Sequence, residues 1–556
     1  MPASQHSQDE FLSVWNDAEQ FPSVQDVADK LGVTISTVRQ RASRIRRNEI
    51  GVTVLDRGKH YRSKSNAEAR SRSSRTHGGN IRPVVEAPSQ VRRWLVTAAQ
   101  DDTPVSEPFW SNLMAYSRHL GAEVKVGGFT YQKGLFEDHA SRSAVFAEKV
   151  RPYLIHENEM LGPLLFAAKM NILPTAVRPL SGLETYSRGA WCIFPHAKTQ
   201  LASVPAIAGQ HPAMVMTSGA CTVPNYIEKK AGLKAEFHHS IGAVIVEVDD
   251  AGRCFTRQIG TSRDGSFQDL DIIVRNGQIL TGQRVEQITW GDIHREKLDP
   301  TVAMACWGFD MESGEIVDPA NSMFHTLRPR HQAFHDLLDF QARNHHRKGD
   351  HHFMFQMIAG GTDRVEDGLK ACAQFLRATE AEWCKSVNVA SNHNDALRRW
   401  LREADPRADP TNLPIWCHLN DQLYSAIARG EDDFDIFRYA LSRYDEQGLE
   451  DIAFVPRNGS YVICQEHGGI EIGMHGDQGP NGARGTANNL IKVATRMNIG
   501  HSHSAAIIDG VYVAGLCGLL DQGYNEGPSG WSHTQIVTNA DGKRTLVTII
   551  DGKWRA

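Results

Sequence analysis

The chain has 556 residues, 41% of them hydrophobic and 22% charged, which suits several folded domains and excludes wholesale disorder. With 60 Lys and Arg against 65 Asp and Glu the net charge is −5, so the molecule is no polycation, and any affinity for nucleic acid has to come from local clustering. Nine cysteines without a CxxC pair exclude a disulfide framework or zinc knuckle and point to a reducing cytoplasm; no stretch reads as a secretory signal or membrane span.

The first predicted unit covers residues 8–62. Phe11, Leu12 and Trp15 mark the apolar face of one helix. Ser23 precedes a second, in which Val24, Val27, Ala28 and Leu31 recur at helical spacing until Gly32 stops it. Thr34 can cap a third helix with Ile35, Val38, Ala42 and Ile45 turned inward, and residues 51–62 can form a two-stranded wing around the turn Asp56–Gly58. This pattern resembles a winged helix-turn-helix over residues 1–62. The resemblance implies that the third helix enters the major groove of DNA, where Ser36, Thr37, Arg39, Gln40, Arg41 and Arg44 would meet bases and phosphates. Residues 39–93 carry fifteen Lys or Arg and four Asp or Glu, an excess of eleven positive charges that favours phosphate backbones. Small three-helix units also dock proteins, which is the competing reading. Residues 63–90, poor in large apolar side chains and rich in Ser, Arg and Gly, read as a basic flexible linker.

From residue 91 to 287 the text alternates strand and helix patterns. Strands are predicted at RRWLVTAAQ, WCIFP, AMVMTSG, AVIVEV and LDIIVRNG, with a helix at LMAYSRHLG. Thr217, Ser218, Gly219, Thr222 and Asn225 follow a strand and can line a pocket, but without P-loop spacing or a suitably placed Lys a structural role is expected of them. The doublet His238–His239 has no partner motif and is read the same way.

The unusual feature is 25 histidines, many of them in the C-terminal half. There, five short segments each place oxygen or imidazole ligands just after a strand-like apolar run: ITWGDIHRE with Asp292 and His294; FHDLLDF with Asp336 and Asp339; VNVASNHND with Asn392 and His393; IEIGMHGD with His475; and MNIGHSHSA with His501 and His503. Residues i and i+2 of an extended chain share a side, so Asp-x-His and His-x-His can each grip one centre, and strand ends of open α/β sheets are where ligands gather. In order, the segments resemble the motif series of the calcineurin-like metallophosphoesterase superfamily over residues 288–530.

That resemblance implies a domain from 288 to 556 built as a β-sandwich flanked by helices, preceded by the α/β region and the small winged module. It implies two divalent ions, Asp292, His294 and His503 holding one, Asn392, His475 and His501 the other, and Asp336 bridging them. Mixed imidazole and carboxylate ligation suits Mn, Fe, Zn or Ni better than Mg. His393 would protonate or stabilise the leaving oxygen. Asp339 is expected in a supporting role. His335 and Ser391 stand where the motifs carry Gly, and Asn394 replaces the usual acid, leaving Asp395 as the residue that can orient His393. The run NHHRKGDHHF, with His345, His346, His351 and His352, matches no ligand of the series and reads equally as a phosphate-binding loop or an exposed basic one.

The expected function is a two-metal phosphodiesterase cleaving nucleic acid, most readily DNA, recruited by the N-terminal module. Such a pairing is similar to phage-encoded DNA-processing proteins and would place the chain in a host cytoplasm, with homo-oligomerisation left open. The competing expectations are a phosphoesterase for small nucleotides or phosphoproteins, and a DNA-binding regulator with a non-catalytic phosphoesterase scaffold.

Overall fold

A computed structural model describes residues 7–17, 19–21, 24–34, 37–38, 41–42, 45, 91–131, 144–207, 210–344, 347, 349–493 and 495–556. The chain divides into two units, Met1–Val84 and Val85–Ala556.

In the first unit Ser7 caps the helix Gln8–Asn16, its hydroxyl accepting the Glu10 N–H at 3.1 Å, and Phe11, Val14 and Trp15 are buried along one stripe. The helix Val24–Leu31 adds Val27, Ala28 and Leu31, and Gly32 ends it with a φ of 60°. Val38, Ala42 and Ile45, spaced at helical intervals, complete the same core. Ser23, Ile35, the wing at 51–62 and the linker at 63–90 lie outside the described residues.

The second unit is mixed α/β, with several sheets of mixed strand direction. Its six-stranded sheet runs in the order Ala453–Val455, Lys385–Val389, His331–Phe334, Gln287–Thr289, Thr534–Thr538, Arg544–Thr548. The first four strands are mutually parallel and the last two pair antiparallel. Alternation along the last two strands fixes the layers. Val537 and Val547 join a core built with the surrounding helices, while Ile536 and Leu546 join one shared with the other sheets. In the helix-side core Trp290 and Trp307 pack with ring centroids 4.5 Å apart, and the Trp290 indole donates to buried Gln332 at 3.0 Å.

A four-stranded sheet, Glu123–Phe129, Arg92–Gln100, Gly242–Val248 and Cys254–Gly260, supplies Val96, Val244 and Val246 to the shared core. The third large sheet has ten strands and draws on both sides of position 287: Leu201–Val204 pairs antiparallel with Ala506–Ile508, with Ala202 opposite Ala506. Residues 91–287 and 288–556, expected from sequence as separate domains, thus share hydrogen-bonded strands inside one compact unit. Among the described residues no helix is long and apolar enough to cross a membrane.

Candidate metal centre

Parallel pairing brings the C-terminal ends of neighbouring strands to one edge. Gln287–Thr289, His331–Phe334 and Lys385–Val389 lead directly into Asp292 and His294, into Asp336, and into Asn392 and His393. In the ten-stranded sheet, Ile470–Glu471 and Met497–Ile499 are parallel and lead into His475 and into His501 and His503. The two sheets are joined at this edge, where Asp292 donates its N–H to the Gly515 carbonyl at 3.1 Å and the Cys517 N–H reaches the Asp292 carbonyl at 2.8 Å.

The seven predicted ligands meet there. His503 Nε2 is 3.0 Å from Asp292 Oδ2 and 3.3 Å from His294 Nε2. His475 Nε2 is 3.2 Å from Asp336 Oδ2 and 3.1 Å from Asn392 Oδ1, and its ring centroid lies 5.2 Å from that of His501. The His501 backbone N–H donates to Asp292 Oδ2 at 2.8 Å. One atom each from Asp292, His294, Asp336 and His503 falls within 4.8 Å of all the others. Four of the seven, His294, Asp336, His501 and His503, hold positive φ angles between 41° and 71°, backbone that side-chain-bearing residues rarely adopt and that concentrates at functional sites. Gly500 is needed for the approach: a Cβ on it would stand 2.1 Å from Asp292 Oδ1.

The buried Asp/His group can hold metal ions, and its own unsatisfied atoms say so. Asp292 Oδ1, His475 Nδ1 and His503 Nδ1 are buried without a hydrogen-bond partner among the described residues. Asp339 accepts from His294 Nδ1 at 2.9 Å, which leaves the Nε2 lone pair of a neutral His294 facing His503 Nε2, a face-to-face arrangement of two nitrogens that suits a cation between them. Burial alone would pull His475 down, but the carboxylates of Asp336 and Asp292 outweigh it and hold the imidazole up at about 9. Burial opposes ionisation of Asp336 too, yet His475 and His393 keep that carboxyl well below its ordinary range.

The centre opens on a cavity of about 750 Å³ lined by Asp336, Asn392, His393, His501 and His503 and walled by Arg484, Tyr524 and Trp531. The Trp531 ring packs against His503 with centroids 4.3 Å apart. His393 is fixed by its backbone and ring together: its N–H donates to Asp336 Oδ1 at 3.3 Å, and Nδ1 lies 3.1 Å from the Asp339 carbonyl oxygen. Asp395, the residue expected to orient it, instead pairs with Arg457 at 2.6 Å, and Arg457 also binds Asp477 at 2.7 Å. An arginine reaching in from a distant loop claims the carboxylate that mere adjacency suggested for His393.

The positions that depart from the family motifs have local work. The Ser391 hydroxyl accepts the Asn394 N–H at 3.3 Å, and the Asn394 side chain ties the Leu338 N–H at 3.1 Å to the Val389 carbonyl at 3.3 Å. His335 is fully buried, stacked on His475 at 5.6 Å, and burial pushes it down to about 4. Sequence reasoning missed Glu296, whose carboxylate collects the N–H groups of Asp339 at 2.7 Å and Phe340 at 2.9 Å and so shapes the loop after Asp336. Nothing in its spacing signals that role, because its partners are some forty residues away.

Other predicted residues lie elsewhere. Thr217 donates to the Lys198 carbonyl at 2.6 Å, Ser218 to the Gly219 carbonyl, Thr222 accepts the Gln100 N–H, and Asn225 donates to Asp102 and Thr103. His239 lies between the Thr222 carbonyl and the Tyr226 hydroxyl, and His238 faces Asp509 at 3.9 Å. His351 and His352 open the helix His351–Ala359, capped by Asp350, on the surface. Of the residues proposed to touch DNA, Thr37 donates its N–H to the Thr34 hydroxyl at 3.2 Å and Arg41 lies over the Phe11 ring at 4.9 Å. Ser36, Arg39, Gln40 and Arg44 lie outside the described residues, as do His345 and His346.

No family model matches the chain. It is 37% identical over 484 residues to Protein A1 of Escherichia phage T5, an alignment spanning 84% of this chain and 83% of that protein. An identity of this extent cannot be confined to one motif or one domain, and the chain therefore belongs to the family of phage T5 Protein A1.

Proposed function

We propose that the protein is a two-metal phosphodiesterase that cleaves nucleic acid, with DNA as its substrate. The observation that carries this reading is the convergence of Asp292, His294, Asp336, Asn392, His475, His501 and His503, from five separate segments, beside one open cavity. Asp292, His294 and His503 would hold one ion, Asn392, His475 and His501 the other, and Asp336 both. When bound, such a pair supplies Lewis acidity, lowering the pKa of a water and offsetting charge on phosphoryl oxygens. Manganese is the first choice for a mixed imidazole and carboxylate set, with iron, zinc, nickel and magnesium as alternatives.

The chain's own groups do the rest. Asp339 holds His294 in the tautomer that presents Nε2 inward. With Nδ1 donating to the Asp339 carbonyl, His393 keeps Nε2 for the cavity, where it delivers a proton to the leaving oxygen. Arg484 adds a positive charge to the cavity wall that meets the flanking phosphates. DNA is favoured over a small phosphoester by the helical N-terminal unit and the excess of eleven positive charges in residues 39–93.

Incubating the purified protein with supercoiled plasmid and with linear duplex, in Mn²⁺, Mg²⁺ or chelator, tests this directly. Metal-dependent nicking or shortening is expected. Intact DNA beside turnover of a chromogenic phosphodiester would transfer the reading to small substrates, and inertness toward both would leave a scaffold.

A further inference from the structure

The strand Met497–Ile499 ends at its C-terminal side in the metal-centre histidines; at its N-terminal side it begins beside Arg496. Four residues, Met497 to Gly500, separate Arg496 from His501, the first three of them in the strand. Around Arg496 lies a second cavity, of about 160 Å³, lined by Arg496, Lys543 and Arg544 together with Thr199, Ser240 and Tyr512.

Three cations face this cavity, and none forms an ion pair with a carboxylate among the described residues. Arg544 is only 8% exposed and donates solely to neutral acceptors: the Met497 carbonyl at 2.9 Å, Asn498 Oδ1 at 3.0 Å and the Gly510 carbonyl at 2.9 Å. Its guanidinium lies 4.0 Å from the Tyr512 ring centroid. Arg496 likewise donates to the carbonyls of Gly469 and His467. Asp541 takes the Lys543 backbone N–H at 3.0 Å and the Ser262 hydroxyl at 2.5 Å; its charge offsets part of that of Lys543 without an ion pair, which leaves the two arginines uncompensated. Carbonyl oxygens satisfy hydrogen bonds but leave whole charges unbalanced, and buried charges are ordinarily paired. Burial without a carboxylate partner accordingly pulls Arg544 down to about 10, with Arg496 adding to the effect. The Thr199 and Ser240 hydroxyls have no protein hydrogen-bond partner among the described residues and complete a lining of donors.

We propose that this cavity is a phosphate-binding site distinct from the metal centre. At about 160 Å³ the cavity has room for a phosphate group. The phosphate is either the free anion or a link in a DNA backbone lying over Lys543, whose side chain reaches the surface. The site rests on its own charges and stands whatever the catalytic activity proves to be.

The test uses full-length protein in chelator, so that no bound metal captures the anion, and reads thermal stability against inorganic phosphate, with chloride at matched ionic strength as reference. A saturable rise in Tm is expected, weakened at least tenfold in apparent affinity by Arg496→Gln and by Lys543→Glu. Lys543→Met serves as a second variant, since it keeps the stem of a surface side chain while removing the charge. A parallel salt titration of duplex binding separates the two sources: a backbone phosphate predicts that Lys543→Glu lowers the salt slope by about one, and a free anion predicts an unaltered slope with the Tm response lost. A phosphate response that survives all three substitutions, or no response together with an unaltered slope, overturns the site.

Discussion

Two buried clusters of charge in the same compact unit differ in one respect. Around Arg257 the accounts are closed: its guanidinium meets Glu247 at 2.7 Å and Asp269 at 2.7 and 2.9 Å, Arg93 completes Glu247 at 2.8 Å, and the Tyr116 hydroxyl donates to Asp269 at 2.7 Å. Two carboxylates face two guanidinium groups. Around Asp336 three buried carboxylates, Asp292, Asp336 and Asp339, have one Lys or Arg partner among the described residues, Lys297 at 3.3 Å from Asp339, and Asp292 Oδ1 has no hydrogen-bond partner there. The first cluster holds a sheet to its neighbour and is complete as folded. The second can take up added positive charge: the proposed ions would bring it, and without them His475, held up at about 9, carries a proton there.

The contrast can be broken from either side. Asp336→Ala or His475→Ala should abolish Mn²⁺-dependent hydrolysis in a gel assay while circular dichroism stays native; retained turnover would dismantle the assigned centre. Adding Mn²⁺ to chelated wild type should raise Tm, and should leave Asp336→Ala where it was. In the closed cluster Arg257→Ala should cost about 3–5 kcal/mol in a denaturant titration, because two carboxylates lose a buried partner, and the Mn²⁺-induced rise in Tm should persist in any folded fraction. The same cluster sets an acid limit. Burial opposes the charge on Glu247, but Arg257 and Arg93 hold its pKa below the ordinary value, so its contribution is present above the unfolded pKa and is lost as pH falls through the folded one. His393→Ala should retain metal by elemental analysis and lose about 10²–10⁴ in rate; lost metal would make it a ligand instead. The smallest effect is expected from deleting residues 1–90. DNA binding should weaken and its salt dependence flatten, while the remaining chain from Val91 onward still hydrolyses a small phosphodiester.

The contrast also marks what the sequence discloses. Asp292 with His294, and His501 with His503, are legible because their partnership spans two residues after a strand and repeats in a recognisable order. Asp339 is half legible, its distance from Asp336 suggesting support without identifying His294 as what it supports. Glu296, the pairing of Asp395 with Arg457, and the whole Arg257 cluster are silent, since each depends on side chains brought together from distant elements. The seam expected at 287/288 has the same origin. Strand composition announces a strand but not its neighbour, so nothing local tells Leu201–Val204 to lie along Ala506–Ile508.

That pairing has a practical corollary. Expressing residues 288–556 alone would leave Ala506–Ile508 paired with Val511–Val513 but strip it of its other neighbour, baring a row of amide and carbonyl groups that invites self-association. The C-terminal half is for this reason not a transferable cassette. Genetic exchange or laboratory grafting has to carry everything from about residue 85 onward as one inheritance.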